Sequence, residues 1–358
     1  MRVVIFSTDD WANMGFILAE SLKSLGVDAE SFKLLKHKLY RHGPNSKVIS
    51  LKEMENEALK ADIIQFTHSK FSVKTPQILK KDIFMFHGGG HYRENHKEIN
   101  RVANQLVKAS LTQTGDLLGF GAKNERWLLP GVDLKVLKPS YVQVSDDVLT
   151  IGHFPSSPRI KGTNVINGVI DSLRSDSNYS EKFNYITSNE SVPYEKNIER
   201  MKKCDVYIEQ IKSGEWGITA LEAAALGKIV VTNFETLPRY HKEYGYCELV
   251  VVDNEKELKE AIIKLINSSK NKIKEKKKKT RKWVSEFHSY EYLGKKLLRV
   301  YAEFLDIDIE KYLNKVVEKE VENKIVQKKV IDDLTIDVSE KNPVVIGEIN
   351  NEEFISEK

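Results

Sequence analysis

Short apolar runs alternate with stretches of helical period for about 300 residues, the pattern of a parallel α/β protein. The first run, Arg2–Phe6 (RVVIF), predicts a core strand that leads into the polar loop STDDWANMG. In GFILAESLKSLG, Ile17, Leu18, Leu22 and Leu25 fall on one helical face before Gly26 ends the helix. ADIIQFTHS and DIFMFHGGG each predict a buried strand running into a polar loop. HKEINRVANQLVKAS follows as a helix with Ile99, Val102, Ala103, Leu106 and Val107 at helical period, and LTQT and RWLLP complete a first unit. Pro130-Gly131-Val132-Asp133 breaks the regularity, and the looser stretch to about Asp147 reads as a linker. The alternation restarts with LTIGHFP as a strand and TNVINGVIDSL as a helix carrying Val165, Ile166, Val169, Ile170 and Leu173 on one side. FNYITS, DVYIEQ, KIVVTNF and ELVVVD are further short apolar runs. Beyond residue 255 the chain turns helical, closing on YLGKKLLRVYAEFLD with Leu293, Leu297, Val300, Tyr301 and Phe304 as its apolar face.

The architecture expected is two Rossmann-like domains in tandem, 1–145 and 146–290, then a closing helix over 291–315 and a tail over 316–358. Sheets of this kind bind ligands outside the carboxyl ends of their strands, so the polar loops after the strands are where function is expected. The length of 358 residues leaves room for two cores of ordinary size. No apolar run reaches membrane-spanning length, and MRVVIFSTDD lacks the pattern of a secretory leader, so a cytoplasmic protein is expected. Cys204 and Cys247 are too few for a disulfide framework or a cysteine-based zinc site.

Net charge is +4, unevenly placed. Residues 316–358 hold eleven Asp/Glu against six Lys, leaving about +9 on the rest. Eight lysines and one arginine fall within Lys270–Lys282. Such a surplus suits an anionic small ligand, a membrane surface or DNA, or is simply a solvated face.

Two segments carry candidate chemistry. In Cys204–Thr232 a strand ends near Gln210, the loop SGEWG opens a helix, and Glu222 falls in its second turn. Free N–H groups around Gly217, Ile218 and Thr219 would accept an anion, and Glu222 the hydroxyls of a ribose. A helix merely packed on a sheet, with Glu222 solvated, is the competing reading. In Leu149–Thr163 a strand runs into Ser156, Ser157, Arg159 and Lys161 before a helix begins, which would neutralise a diphosphate or form an ordinary surface turn. His87-Gly88-Gly89-Gly90 and Asp9–Gly15 are the corresponding loops of the first domain. The spacing of His68, His87, His91 and His96 fixes no common face, so no metal site is expected. Zincin, α/β-hydrolase and Walker-type motifs are absent from the sequence.

In their order, GHFPSSPRIKGT, DVYIEQ…GEWGITALEAAALGKIVVT, TQTGDLLGFGAKNERWLLPGVDLKVLKP and the closing RKWVSEFHSYEYLGKKLLRVYAEFL resemble the GT-B glycosyltransferases, in particular the retaining family 4. The resemblance spans residues 1–305 and implies an α/β GT-B fold with an interdomain cleft and C-terminal helices. It implies a glycosyltransferase using a UDP- or GDP-linked sugar as co-substrate, with retention and without a metal or other cofactor. The acceptor would be a glycan, a lipid-linked sugar or a protein. By position, Lys161 and Arg159 would act on the donor diphosphate and His87 would sit beside the transferred sugar. His153, Ser156, Ser157, Glu215, Gly217, Ile218, Thr219 and Glu222 would bind the donor, with Asn13 and Gly15 approaching from the first domain. Two positions depart from the family: His153 stands where it has an arginine, and Gly214 where it has its first glutamate, with Glu215 beside it. Transfer to modified bases of DNA, and noncatalytic binding of a nucleotide sugar, are the alternatives. The lysine run keeps DNA and an anionic membrane open as partners of a cytoplasmic or peripheral protein.

Overall fold

The computed structural model describes residues 1–36, 45–72, 75–141, 148–190 and 192–314. Met1–Ile309 form one compact unit and Glu310–Lys358 a second. The acidic tail inferred for 316–358, and the end of the linker at 142–147, lie outside the described residues.

Two sheets, parallel throughout, organise the first unit. The first holds β1 (Arg2–Ser7), β2 (Asp28–Lys33), β3 (Lys47–Val48), β4 (Ile63–Thr67), β5 (Asp82–His87), β6 (Ala109–Thr112) and β7 (Arg126–Trp127) in the order β3-β2-β1-β4-β5-β6-β7. The second holds β8 (Leu149–His153), β9 (Phe183–Thr187), β10 (Val206–Gln210), β11 (Ile229–Thr232) and β12 (Val250–Val251) in the order β12-β11-β10-β8-β9. Helices cover both faces, which is why the strands read as continuous apolar runs. Along β10 the faces alternate: Val206 and Ile208 join one apolar layer with Ile151 and Val231, and Tyr207 joins the other with Trp283 and Tyr240.

The first helix, Met14–Ser24, buries Ile17, Leu18, Leu22 and Leu25 as its period predicts. Strands β2 and β3 have no counterpart among the elements expected from the sequence. DAESFK alternates with charged residues, so it offers no apolar run, although it pairs with β1 over its whole length. The glycines after β5 do not form the expected loop, because the helix Gly89–Leu106 starts among them and leaves Val102 exposed.

The described part of the linker, 130–141, is strapped down rather than loose. Val132 N–H donates to the His288 carbonyl (2.8 Å), and Arg281 donates to the Leu137 carbonyl (2.7 Å). The closing helix Tyr290–Phe304 then returns to the first domain, and at its crossing with the first helix an added Cβ on Gly294 would lie 2.3 Å from the Ser21 carbonyl oxygen. Only glycine permits that approach. We therefore expect Gly294→Ala to lower stability in urea unfolding by about 1–3 kcal/mol, as overpacking does. Gly168→Ala, in a helix interior with nothing within 4 Å, is expected to be neutral or stabilising by up to about 1 kcal/mol.

Candidate functional site

The carboxyl ends of β1, β8 and β10 open on a cavity of about 200 Å³. From the first domain it is lined by Trp11 and Ala12, and from the second by Ser156, Lys161, Glu209, Ile218, Thr219 and Glu222 among others.

The second-domain wall is built by two neighbours at the end of β10. Gln210 organises the glycine loop: its Oε1 accepts from the N–H groups of Lys212 and Ser213 (both 2.7 Å), and its Nε2 donates to the carbonyls of Glu215 (3.2 Å) and Asn233 (3.1 Å). Glu209 is buried to 1% exposure and ion-paired with Lys161. It also accepts hydrogen bonds from Thr219 Oγ1 and Thr232 Oγ1, each at 3.2 Å. Lys161 is brought there by its own loop. A short helix, Pro158–Lys161, is followed by Gly162 in the left-handed region (φ 73°), and the Lys161 carbonyl accepts from Ile211 N–H (3.2 Å). The helix Ile218–Ala225 starts beside the pair, with Gly217 as its N-cap. Its first-turn N–H groups are the orphan donors expected at a helix start.

Glu222 projects from this helix into the cavity, and burial pushes its carboxyl up to about 7. Cys204, deep under the same wall, is pushed by burial up to about 12 and is inert as a nucleophile.

The first-domain wall is a strained loop. Asp10, Ala12 and Asn13 after β1, and His68 and Ser69 after β4, are all non-glycine residues with positive φ. The buried Asp10 carboxylate holds the bend, accepting from Gly15 N–H (2.6 Å), Phe16 N–H (3.2 Å) and Ser46 Oγ (2.6 Å), with His68 Nε2 at 3.8 Å. The loop thereby presents Trp11, 57% exposed, at the mouth of the cavity. Strained backbone gathered at one edge marks a site the surrounding structure holds in place.

The residues singled out from the sequence divide. Lys161, Ser156, Ile218, Thr219 and Glu222 come together, with Gly217 adjoining them. Several others do not line this cavity. His153 is fully buried, with Nδ1 on the Ile208 carbonyl (2.8 Å) and Nε2 on Thr163 Oγ1 (2.9 Å), so it braces the wall from behind. His87 is likewise fully buried. Its ring nitrogens engage Ser69 Oγ (2.8 Å) and Ser110 Oγ (3.2 Å), its ring stacks on Tyr92, and burial lowers its pKa to about 3. Arg159 is exposed and lines a separate hollow with Lys212, while Ser157 is half-buried at the head of the Pro158–Lys161 turn. Glu215 turns to the junction of the sheets, where it accepts from Thr236 Oγ1 (2.6 Å) near Gly115, and burial raises it to about 7. Beside Gly214, the place a side chain would take is held by the Glu235 carboxylate. Asn13 and Gly15 shape the first-domain loop, but Trp11 and Ala12 are its cavity-lining members.

Glu209 and Trp11 are among the cavity residues that sequence reasoning misses, as are Ala12, Tyr194 and Tyr207. A glutamate inside an apolar run was the available signal for the first, and a tryptophan in a polar loop for the second. Among the described residues, no three His, Cys, Asp or Glu side chains are placed to hold a metal ion, and no helix is long and apolar enough to cross a membrane.

Residues 178–283 match the family model of glycosyl transferases group 1. No curated protein matches the sequence. Among solved structures, HepE of Anabaena in complex with UDP and glucose aligns with a TM-score of 0.58 at 12% identity, over 85% of this chain and all of that one. A glycosyltransferase from Rickettsia africae aligns at 0.56 and 14% identity, over 86% of this chain and 99% of that one. An α-glucosyltransferase in complex with UDP and a 13-mer DNA aligns at 0.59 and 11% identity, over 84% and 99%. The shared fold is GT-B.

The raised carboxyls give a stability test. Between the ordinary glutamate value near 4.5 and about 7, the unfolded chain loses the Glu222 proton while the fold keeps it, so stability falls as pH rises through that window. The deficit is absent below the window and complete above it, at up to about 3 kcal/mol. Glu222→Gln is expected to gain in urea midpoint relative to the parent at pH 8 and not at pH 5. An equal displacement at both pH values would contradict the assignment.

Proposed function

We infer that this chain is a glycosyltransferase that takes a sugar from a UDP- or GDP-linked donor held against the second domain, a reading supported by the match of residues 178–283 to group 1 glycosyl transferases and by the GT-B fold. The observation that carries this reading is the convergence of Lys161, Thr219, the start of the Ile218–Ala225 helix and Glu222 on one cavity. The helix-start amides and Lys161 suit the diphosphate, and Glu222, on the same helix, suits the ribose hydroxyls. The acceptor, a glycan, lipid-linked sugar or protein, would approach over the Trp11 loop.

The chemistry follows from charge. The bond between the sugar's anomeric carbon and the donor phosphate oxygen breaks, and its electron pair leaves with the nucleoside diphosphate. Lys161 and the helix amides stabilise that developing anion from fixed positions, and such preorganised stabilisation usually lowers the barrier most. The acceptor hydroxyl enters on the face the leaving group vacates, passing its proton to the departing phosphate, so configuration is retained. The groups proposed to stabilise that charge, Lys161 and the helix amides, are the chain's own.

A stripe of exposed lysines, Lys270, Lys274, Lys278 and Lys282, runs along the helix Lys270–Phe287. Lys277 does not belong to it, being buried and ion-paired with Asp205. The stripe favours a peripheral, cytoplasmic-side position on an anionic membrane, with duplex DNA as the second reading.

Incubating the protein with UDP- and GDP-sugars and candidate acceptors, and measuring released diphosphate, tests the reading. Lys161→Ala is expected to cut turnover by about 10²–10³. Glu222→Ala is expected to weaken nucleotide binding about tenfold or more with the fold intact. Unchanged affinity removes Glu222 from the site, and binding without turnover across acceptors favours a noncatalytic binder. Co-sedimentation with anionic vesicles, lost in high salt and in a Lys274, Lys278 and Lys282 to Ser variant, tests the stripe; retention on duplex DNA alone favours the second reading.

A further inference from the structure

Glu209 stands in a place unfavourable to a carboxylate. It is the next-to-last residue of a central strand, is almost fully buried, and lines the cavity that the proposed function gives to an anion. Its position is irregular too. Ile208 pairs with Val231 and Gln210 with Thr232, so Glu209 is the extra residue where β10 slips against β11. A bulge of this kind beside a site re-aims a side chain. Here the carboxylate takes the Lys161 ammonium and the hydroxyls of Thr219 and Thr232. The group gathered is the one that would receive a phosphate: an ammonium, a hydroxyl and a helix start. A Cβ added at Gly217, the helix N-cap, would lie 3.1 Å from Glu209 Oε1 and 3.3 Å from Lys161 Nζ.

We propose that Glu209 is a built-in counter-anion of the phosphate-binding site, holding Lys161 and Thr219 at the start of the Ile218–Ala225 helix and competing with an incoming diphosphate for them. It is a positioning residue that acts through Lys161. The proposal rests on the reading that a diphosphate binds this wall. Competition follows from charge: one ammonium faces two anions, and a buried carboxylate left without its cation is costly. The Lys161 backbone keeps its place without the Glu209 charge, being fixed by Ser157 and Ile211, and a glutamine at 209 still offers an oxygen to its ammonium. Removing the carboxylate charge while keeping the side chain's shape therefore strengthens the site rather than dissolving it.

Calorimetric titration of the full chain and of Glu209→Gln with inorganic pyrophosphate, UDP, GDP and uridine tests this. Pyrophosphate and UDP are expected to bind Glu209→Gln about tenfold more tightly, with uridine unchanged. A purely structural role would not separate uridine from UDP. Equal or weaker pyrophosphate binding by a variant with unaltered circular dichroism overturns the proposal. Tighter pyrophosphate binding, with UDP and GDP no better than pyrophosphate, sustains it and instead counts against the nucleotide reading. If Glu209→Gln does not fold, Glu209→Asp, which draws the carboxylate back from Lys161, is expected to show a smaller gain of about threefold, and no gain is equally fatal.

Discussion

A carboxylate buried at the end of a central strand has to be met by a cation and by hydrogen-bond donors, and much of the second domain's edge is arranged to meet Glu209. The loop after β8 turns through Gly162 so that its lysine returns to β10, and the Ile211 amide pins that turn in place. The helix Ile218–Ala225 opens where Thr219 can reach the same oxygen. Behind the wall, His153 ties β8 to both β10 and Thr163, so the loop that delivers Lys161 is braced at its root. The wall that lines the cavity is thus also the wall that satisfies an internal charge.

The first domain contributes by a different device. Its loop after β1 is held in a bend that L-residues seldom adopt, and the Asp10 carboxylate holds it there by accepting from Gly15 and Phe16. What it presents is apolar, Trp11, opposite a charged wall. Straps that join the two sides include the linker amide of Val132 on His288, the closing helix at Gly294 against Ser21, Tyr244 on the Trp127 carbonyl and Thr236 on the Gly115 turn.

The sequence made the sheets legible wherever strands were apolar throughout, because burial on both faces writes a continuous run. It concealed β2, whose charged alternation hides a strand flanking β1. The helix start at Gly217 and the lysine of the loop were legible from local pattern, and both line or adjoin the cavity. The histidines were not, because a strand-end histidine looks the same whether it faces a ligand or, as His87 does, two serines beneath a tyrosine ring. Glu215 misled for a related reason: adjacency in sequence to Gly214 says nothing of direction, and its carboxyl turns to Thr236. Glu209 escaped because its meaning depends on a slip in register that only pairing with β11 reveals.

An acid-rich edge is an unexpected place for the anion proposed to bind there, and the balance of charges bears on that proposal. Glu209 and Glu222 line the cavity and Glu215 lies nearby, turned to Thr236, and if each were fully ionised they would repel a phosphate. Burial acts differently on each. Glu222 and Glu215 are pushed up to about 7, so each is neutral for much of the time near neutrality. Glu209 is instead matched by Lys161 and contributes no net charge as a pair. What the proposed diphosphate would meet is therefore close to neutral in sum, with helix-start amides beside an ammonium already paired with Glu209. The stability lost in keeping those carboxyls buried is offset by the apolar layers on both faces of the sheets, where Trp283, Tyr240 and Tyr207 on one side and Ile208 and Val231 on the other lie out of water.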